Sequence, residues 1–397
     1  MTAKLDIIVL GSTGFTGRLA CRYLARKAEV AGRWGIAGRS EAKLAALKAE
    51  LGIDVPTFVA DADQPATVDA VCAKAACVIA CAGPFTRVGM PVVEACVRHG
   101  THYVDSTGEI AFVRRAIAAH HAEAARKGVV IVPCCGFDCV PADLGNYVVH
   151  REAPEPVTVV RGYFQGNPAG VSNGTMNSVA CVMDAMSTED MSPLALVPET
   201  GVQPTGAPTR YGVWYENGRF TGFFLAAAGD ERLVRRTNSL MGTSAVYVEA
   251  MQGSLAQVVR LTLATYAIFM AVMIAPVRRW LIAKYFTGTG IGPTDEAMAK
   301  SDFRCDFVGE TVSGRRVETT MIAKEDAYTA TALFLGECAL SALTLARRGT
   351  LKGGVLTPAY AFGDELVRRS REAGVEIDTV IIGGSGGSVA DEAKKVR

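Results

Sequence analysis

Short apolar runs alternate with amphipathic stretches along the first third of the chain. Leu5 to Leu10 is apolar at nearly every position, and comparable runs recur at 33–38, 55–60, 76–81, 101–104 and 129–132. Runs without polar alternation predict strands covered on both faces. Between them, apolar residues return with helical period near 15–28, 41–51, 65–74, 89–98 and 109–127. Strand and helix in regular alternation predict an α/β fold with a doubly wound parallel sheet, so residues 1–150 are expected to form a Rossmann domain. Ligands of such sheets lie beyond the carboxyl ends of the strands, which directs attention to the residues that follow each run.

The rhythm breaks after Pro154 and Pro156. Residues 151–350 mix strand-like pieces (Thr158 to Phe164, Arg210 to Tyr215, Ala245 to Met251) with helical ones and predict a second, α+β domain for substrate recognition and dimer contacts. One helix is expected to begin near Asn173-Gly174-Thr175, where simple helix initiation is favoured over an anion site. Residues 351–375 read as Gly353-Gly354-Val355-Leu356-Thr357-Pro358-Ala359 followed by a charged helix that returns to the first domain. Residues 383–397, opening with Gly383-Gly384-Ser385-Gly386-Gly387-Ser388, read as a flexible tail.

The first strand runs into Gly11-Ser12-Thr13-Gly14-Phe15-Thr16-Gly17. In a strand-turn-helix setting this GxxGxxG spacing predicts a dinucleotide site. Gly11 permits the turn, Gly14 lets backbone approach a pyrophosphate, and Gly17 lets helix and strand pack closely, with the helix N-terminus aimed at the phosphates. The second strand ends on Arg39-Ser40, with Lys43 one turn on, where an NAD site would carry an acid. A guanidinium and a hydroxyl suit a 2′-phosphate, so NADPH is the expected cofactor. Glu41 reads as a carboxylate favourably placed on the dipole of the helix starting at Ser40; turned inward, it would restore NAD.

Three further loops carry candidates. Asp61, after the third run, either borders the adenine or caps the helix near Gln64-Pro65. Ala82-Gly83-Pro84-Phe85, after the fourth, offers small residues beside a ribose and a Pro-Phe wall for the nicotinamide. The fifth run ends in Tyr103-Val104-Asp105-Ser106-Thr107-Gly108-Glu109, in which Tyr103 and Asp105 are candidate proton donors or orienting groups and Glu109 is read as a helix cap. Gly136 and Phe137, after the sixth, are counted with the cofactor loops, and Asp138 with the candidate acids. Tyr23 and Lys27 have a Y-x-x-x-K spacing but lie far in sequence from these loops.

Composition narrows the field. Hydrophobic residues make up 49% and charged residues 20%, and the net charge of +1 with no dense basic tract argues against a nucleic-acid partner. The N-terminus enters the first strand without a secretory pattern, so a cytoplasmic setting and reduced cysteines are expected for the eleven present. Cys134, Cys135 and Cys139 lack zinc-knuckle spacing, so no metal is expected, and Cys139 reads as a small buried residue before it reads as a donor. Leu261 to Val277 holds no charge over seventeen residues and is bounded by Arg260 and by Arg278-Arg279-Trp280. As a helix it would reach about 25 Å, short for a hydrocarbon core. A buried or subunit-interface helix and a peripheral lipid contact through 261–280 both stay open.

Taken together, the chain resembles the saccharopine dehydrogenase-like oxidoreductases, in the branch of trans-acting enoyl reductases. The likeness rests on the glycine turn, Ala82-Gly83-Pro84-Phe85, Tyr103-Val104-Asp105 with Thr107-Gly108-Glu109, and Gly136 through Gly145. Later pieces are Val234-Arg235-Arg236-Thr237-Asn238-Ser239-Leu240, Gly290-Ile291-Gly292-Pro293, Glu337-Cys338-Ala339-Leu340 and 353–359. The resemblance implies an NADPH site at the glycine turn and a second domain inserted before a returning C-terminal helix. It also points to a reductase of a lipidic or acyl substrate, expected as a homodimer. Cys139 stands where the pattern has serine, and Lys324-Glu325-Asp326-Ala327-Tyr328 replaces a glycine- and proline-rich turn. An amino-acid or imine oxidoreductase, with Arg235 and Arg236 meeting substrate carboxylates, and a non-catalytic NADP(H) sensor remain alternatives.

Overall fold

A computed structural model describes residues 4–166, 170–185, 187–207, 209–285 and 290–383. The first half alternates as expected: β1 (Leu5–Leu10), α1 (Phe15–Leu24), β2 (Trp34–Gly38), α2 (Glu41–Leu51), β3 (Thr57–Val59), α3 (Pro65–Cys72), β4 (Ala75–Ala80), α4 (Phe85–His99), β5 (His102–Asp105), α5 (Ile110–Lys127), β6 (Val130–Val132) and α6 (Val140–Glu152). Then come β7 (Val157–Gly166), α7 (Asn173–Ala185), β8 (Val213–Glu216), β9 (Arg219–Gly222), α8 (Ala227–Met241), β10 (Val246–Gly253), α9 (Leu255–Met273), α10 (Ala275–Tyr285), α11 (Asp295–Met298), β11 (Phe303–Thr311) and β12 (Arg316–Ala323). The chain closes with α12 (Ala327–Arg347), β13 (Gly354–Val355), α13 (Pro358–Glu372) and β14 (Glu376–Ile382).

Seven parallel strands form the first sheet in the order β13-β6-β5-β4-β1-β2-β3. Ile7, Ile8 and Val9 of β1 are fully buried, as an unbroken apolar strand between two helical layers must be. The connection reverses direction between β1 and β4, and that switch point is where a doubly wound sheet opens its ligand crevice. Helices α2, α4 and α5 each stop on a left-handed glycine, at Gly52, Gly100 and Gly128. Helix α1 stops at Leu24, short of the expected 28, and a single 3-10 turn follows at Ala28–Val30. Helix α4 begins at Phe85, four residues before the expected start, because a carboxylate described below caps it there.

The second sheet runs β14-β12-β11-β7-β10-β9-β8, with only the β7–β10 pair parallel. Helices α6 and α8 cover one face of it. Gly145 of α6 lies so close to β11 that a Cβ there would sit 2.2 Å from the Phe307 ring. The boundary expected at residue 150 therefore moves back to about 140, since α6 belongs to the second sheet. The return to the first sheet also starts earlier than 351. Helix α12 packs between α1 and α13 against β4 and β5, and a Cβ on its Gly336 would meet the Tyr23 ring at 2.5 Å. After α13 the chain crosses once more and pairs β14 with β12, an excursion that an all-helical return at 351–375 does not contain. Residues 384–397 of the expected tail lie outside the described residues. The apolar segment 261–277 is two helices rather than one, because Ile274 takes an extended conformation just ahead of Pro276.

Candidate functional site

The glycine turn closes tightly over the ends of β1 and β4. Gly11 has φ of +82°, and a Cβ on it would lie 2.8 Å from the backbone N of Ala82. A Cβ on Gly17 would lie 2.2 Å from the Gly11 carbonyl oxygen. Any side chain at either position would push α1 off the turn. No side chain caps α1, so the first-turn N–H groups of Phe15, Thr16 and Gly17 point outward as a helix N-terminus does. This cradle fits a dinucleotide pyrophosphate.

Other candidates divide between crevice and core. Ser12 is fully buried and its hydroxyl donates to the Ala37 carbonyl at 3.1 Å, tying the turn to β2. Thr13 lies beside Gly38, which brings the exposed Arg39 to the cradle's rim. The Ser40 hydroxyl accepts the Lys43 N–H at 3.4 Å as the cap of α2. Asp61 holds a local turn by accepting the Asp63 N–H at 3.1 Å. Ala82, Gly83 and Pro84 form the rim above β4, with Gly83 exposed. Phe85 is only 5% exposed and its ring packs on Phe112 in the core, so it cannot wall a nicotinamide. Phe15 is turned away from the turn's phosphate side. Its ring meets Tyr328 edge-on with centroids 5.1 Å apart, and Gly292 is pressed on its face.

The residues after β5 and β6 form the floor. The Tyr103 hydroxyl donates to Asp105 Oδ2 at 2.7 Å, and Asp105 Oδ1 accepts the Thr107 and Cys134 N–H groups at 2.9 and 3.0 Å. Both side chains are fully buried. Burial pushes the Asp105 carboxyl up to about 7 and the Tyr103 phenol upward as well. This pair fixes two loops together, including Cys134 with its φ of +64°, and does not face the crevice. Gly136 packs against Ser106 and Thr331, and the Phe137 N–H donates to Thr331 Oγ1 at 3.0 Å. Asp138 is the acid that reaches solvent. It stands among protein on most sides, near Cys139, Asp230 and Glu249, and desolvation raises its carboxyl.

Several side chains take partners that their place in the sequence does not indicate. Glu109 precedes α5, yet its carboxylate caps α4: it accepts from the N–H groups of Phe85 at 2.9 Å and Thr86 at 2.7 Å, and from Ser178 Oγ of α7 at 2.8 Å. Capping was legible there, but the helix capped is the preceding one. Asp230, 2% exposed on α8, sits against Cys139, and the surrounding acids and burial raise its carboxyl. The second domain closes over the turn through Tyr328, whose hydroxyl accepts the Ser172 N–H at 2.6 Å, and through the Ile291 carbonyl, which accepts the Asn173 N–H at 3.0 Å. Helix α7 therefore begins as expected, and its first N–H groups are already engaged. Arg235 and Arg236 are buried on α8 and donate to carbonyls, Arg236 to Leu196 and Val355 at 2.7 Å each, so neither is a solvated face nor available to a substrate carboxylate. Tyr23 and Lys27 both bind Glu337 between α1 and α12, away from the crevice.

Residues 7–132 match the family described as the saccharopine dehydrogenase NADP binding domain. The chain is similar to trans-acting enoyl reductases of Mycobacterium leprae, at 36% identity over 95% of this chain and 98% of that one, and of Mycobacterium ulcerans, at 33% over 94% and 97%. Among solved structures it is similar to the apo saccharopine dehydrogenase (L-Glu forming) of Saccharomyces cerevisiae. That match has a TM-score of 0.51 at 16% identity, covers 96% of this chain and all of that one, and shows a shared fold.

Proposed function

The chain belongs to the trans-acting enoyl reductase family, and we propose that it reduces the carbon–carbon double bond of an enoyl group on a lipidic acyl substrate, with NADPH as reductant. The observation that carries this reading is the glycine cradle, closed so tightly at Gly11 and Gly17 that only backbone can meet a pyrophosphate, with Arg39 exposed at its rim. The N–H groups of Phe15, Thr16 and Gly17 would hold the pyrophosphate. Arg39 and the Ser40 hydroxyl would hold the 2′-phosphate. Ala82, Gly83 and Pro84 leave room for the nicotinamide ribose. NADPH, when bound, supplies the hydride.

The chain's own contribution is a proton for the carbon next to the one reduced. We assign this role to Asp138, because it is the exposed acid after β6 and the protein around it raises its carboxyl by desolvation. Tyr103 and Asp105 act as positioning groups beneath it. The burial of Arg235 and Arg236 removes the two cations assigned to an amino-acid substrate. Contact with lipid through residues 261–280 belongs to the same reading, since an acyl substrate has to leave a lipid phase or a carrier to reach the crevice.

The test is oxidation of NADPH by purified protein with a panel of enoyl thioesters against pairs of amino acid and keto acid. Enoyl thioesters are expected to turn over; turnover with the amino-acid pairs alone overturns the proposal, and tight NADPH binding without any turnover makes the protein a sensor. Arg39→Ala should raise KM for NADPH about tenfold or more and leave NADH nearly unchanged. Asp138→Asn should lower kcat about 100-fold with little change in NADPH affinity.

A further inference from the structure

Helix α9 and helix α10 form a hairpin that the rest of the protein leaves largely uncovered. Leu255, Leu263, Ile268, Met270, Met273 and Ile274 are each between 48% and 64% exposed. A helix this apolar around its circumference, with a mean hydropathy of 1.6 and only 17% of the window buried, belongs either in a protein core or against lipid. One narrow stripe is packed: Val258 and Thr262 meet Gly222 of β9. Arg278 pins the hairpin to α7 through Asp184 and donates to the Val272 carbonyl at 2.8 Å. Held along its length in this way, α9 lies flat on the domain and does not stand free to cross a bilayer.

Charge selects the occupant. Residues 255–285 contain no Asp or Glu, and Arg260, Arg279 and Lys284 are exposed among the apolar residues. Lys284 Nζ lies 4.8 Å from the Trp280 ring centroid and 5.0 Å from that of Tyr285. Aromatic rings beside cations on an exposed apolar hairpin suit the headgroup depth of a membrane. Two copies of the hairpin face to face would bring six cations together with no carboxylate to pair them, which disfavours self-association there. We propose that the α9–α10 hairpin docks flat on an anionic lipid surface, with the apolar face in the acyl boundary and Arg260, Arg279 and Lys284 on lipid phosphates. Through α10 and α7, whose Ser178 touches Glu109 beside Gly83, docking sets the roof of the crevice toward the bilayer. The inference rests on the acyl reading only for what the membrane delivers.

Flotation of the full-length protein decides it, with vesicles of phosphatidylcholine alone or mixed with phosphatidylserine, and no NADPH or substrate present. The wild type is expected to float with the mixed vesicles, less with phosphatidylcholine alone and less at high salt. Ile268→Glu with Met270→Glu should reduce the floated fraction about tenfold, and Arg279→Glu with Lys284→Glu should abolish the preference for phosphatidylserine. An independent readout is a blue shift of Trp280 emission on adding vesicles, absent in Trp280→Phe. A wild type that does not float, or a double-glutamate variant that floats equally well, overturns the proposal. So does a dimer in light scattering that Ile268→Glu with Met270→Glu dissolves while vesicles bind nothing. Because flotation needs no turnover, its failure is distinct from failure of the enoyl assay.

Discussion

Two helices of this chain, α9 and α12, have nearly the same mean hydropathy and opposite fates. Each is long and apolar enough to cross a membrane, with mean hydropathies of 1.6 and 1.5, yet 72% of the α12 window is buried in the protein and 17% of the α9 window is. Helix α12 carries the means of burial in its small and acidic residues. Gly336 lets Tyr23 of α1 approach, and Glu337 receives Lys27 Nζ at 2.5 Å, the Tyr23 hydroxyl and Arg369 Nη1 at 3.2 Å. A buried carboxylate with three partners gives a core helix one orientation among its neighbours. Helix α9 has no such group between Leu255 and Met273, where the one charged residue is the exposed Arg260. Mean hydropathy does not separate the two; polar residues that find partners do.

The contrast is open to attack from its strongest end. Phe334→Ala empties a fully buried site in α12 and should lower stability by about 3–5 kcal/mol, seen as a large drop in thermal midpoint. A small effect would mean that α12 is not core. Glu337→Ala leaves Arg369 and Lys27 short of a partner inside the α1–α12 contact, and about 3 kcal/mol is expected in urea unfolding, with Glu337→Gln milder. The interior should also respond to pH where the hairpin does not. Burial raises the carboxyls of Asp105 and Asp143 to about 7, so the folded state holds protons that the unfolded chain releases above its usual carboxylate range. Their contribution to stability is full below about pH 4 and is lost as pH rises toward 7, at no more than about 1.4 kcal/mol per pH unit for each group. Asp105→Asn should flatten that slope in unfolding measured from pH 4 to 8. Residues 255–285 contain no Asp, Glu or His, so vesicle binding should change little over the same range. The smallest expected effect is that of Ile268→Glu on stability, within about 0.5 kcal/mol, because the side chain is 57% exposed. A loss as large as that of Phe334→Ala would place α9 in a packed interface.

Local chemistry made much of the first domain legible. Strands buried on both faces, helices between them and a GxxGxxG turn specify the doubly wound sheet, because each feature depends on neighbours within a few residues. The helix starting at Asn173 and the capping character of Glu109 were readable for the same reason. What Glu109 caps was not, since α4 begins 24 residues earlier in the chain. Phe85 read as a wall beside the nicotinamide because it follows Gly83-Pro84, and its capture by Phe112 depends on a helix contact that no local pattern encodes. Arg235 and Arg236 are the sharper case. Adjacent arginines suggest solvent or an anionic ligand, and here both are buried against carbonyls contributed by segments as distant as Val355.

From the sequence by itself came the alternation of elements, the glycine turn and the place of Arg39 at the end of the second strand, all of them properties of short segments with fixed spacing. The tertiary structure alone decided which acid is exposed, Asp138 and not Asp105, and which apolar helix is core, α12 and not α9. It also decided that the chain passes to the second sheet's layer at about 140, leaves it at 327 and returns to that sheet with β14. The reason is common to all three. Burial is set by what packs from elsewhere in the chain, and a carboxylate or a leucine looks the same in sequence whether its partner is a distant helix, water or lipid.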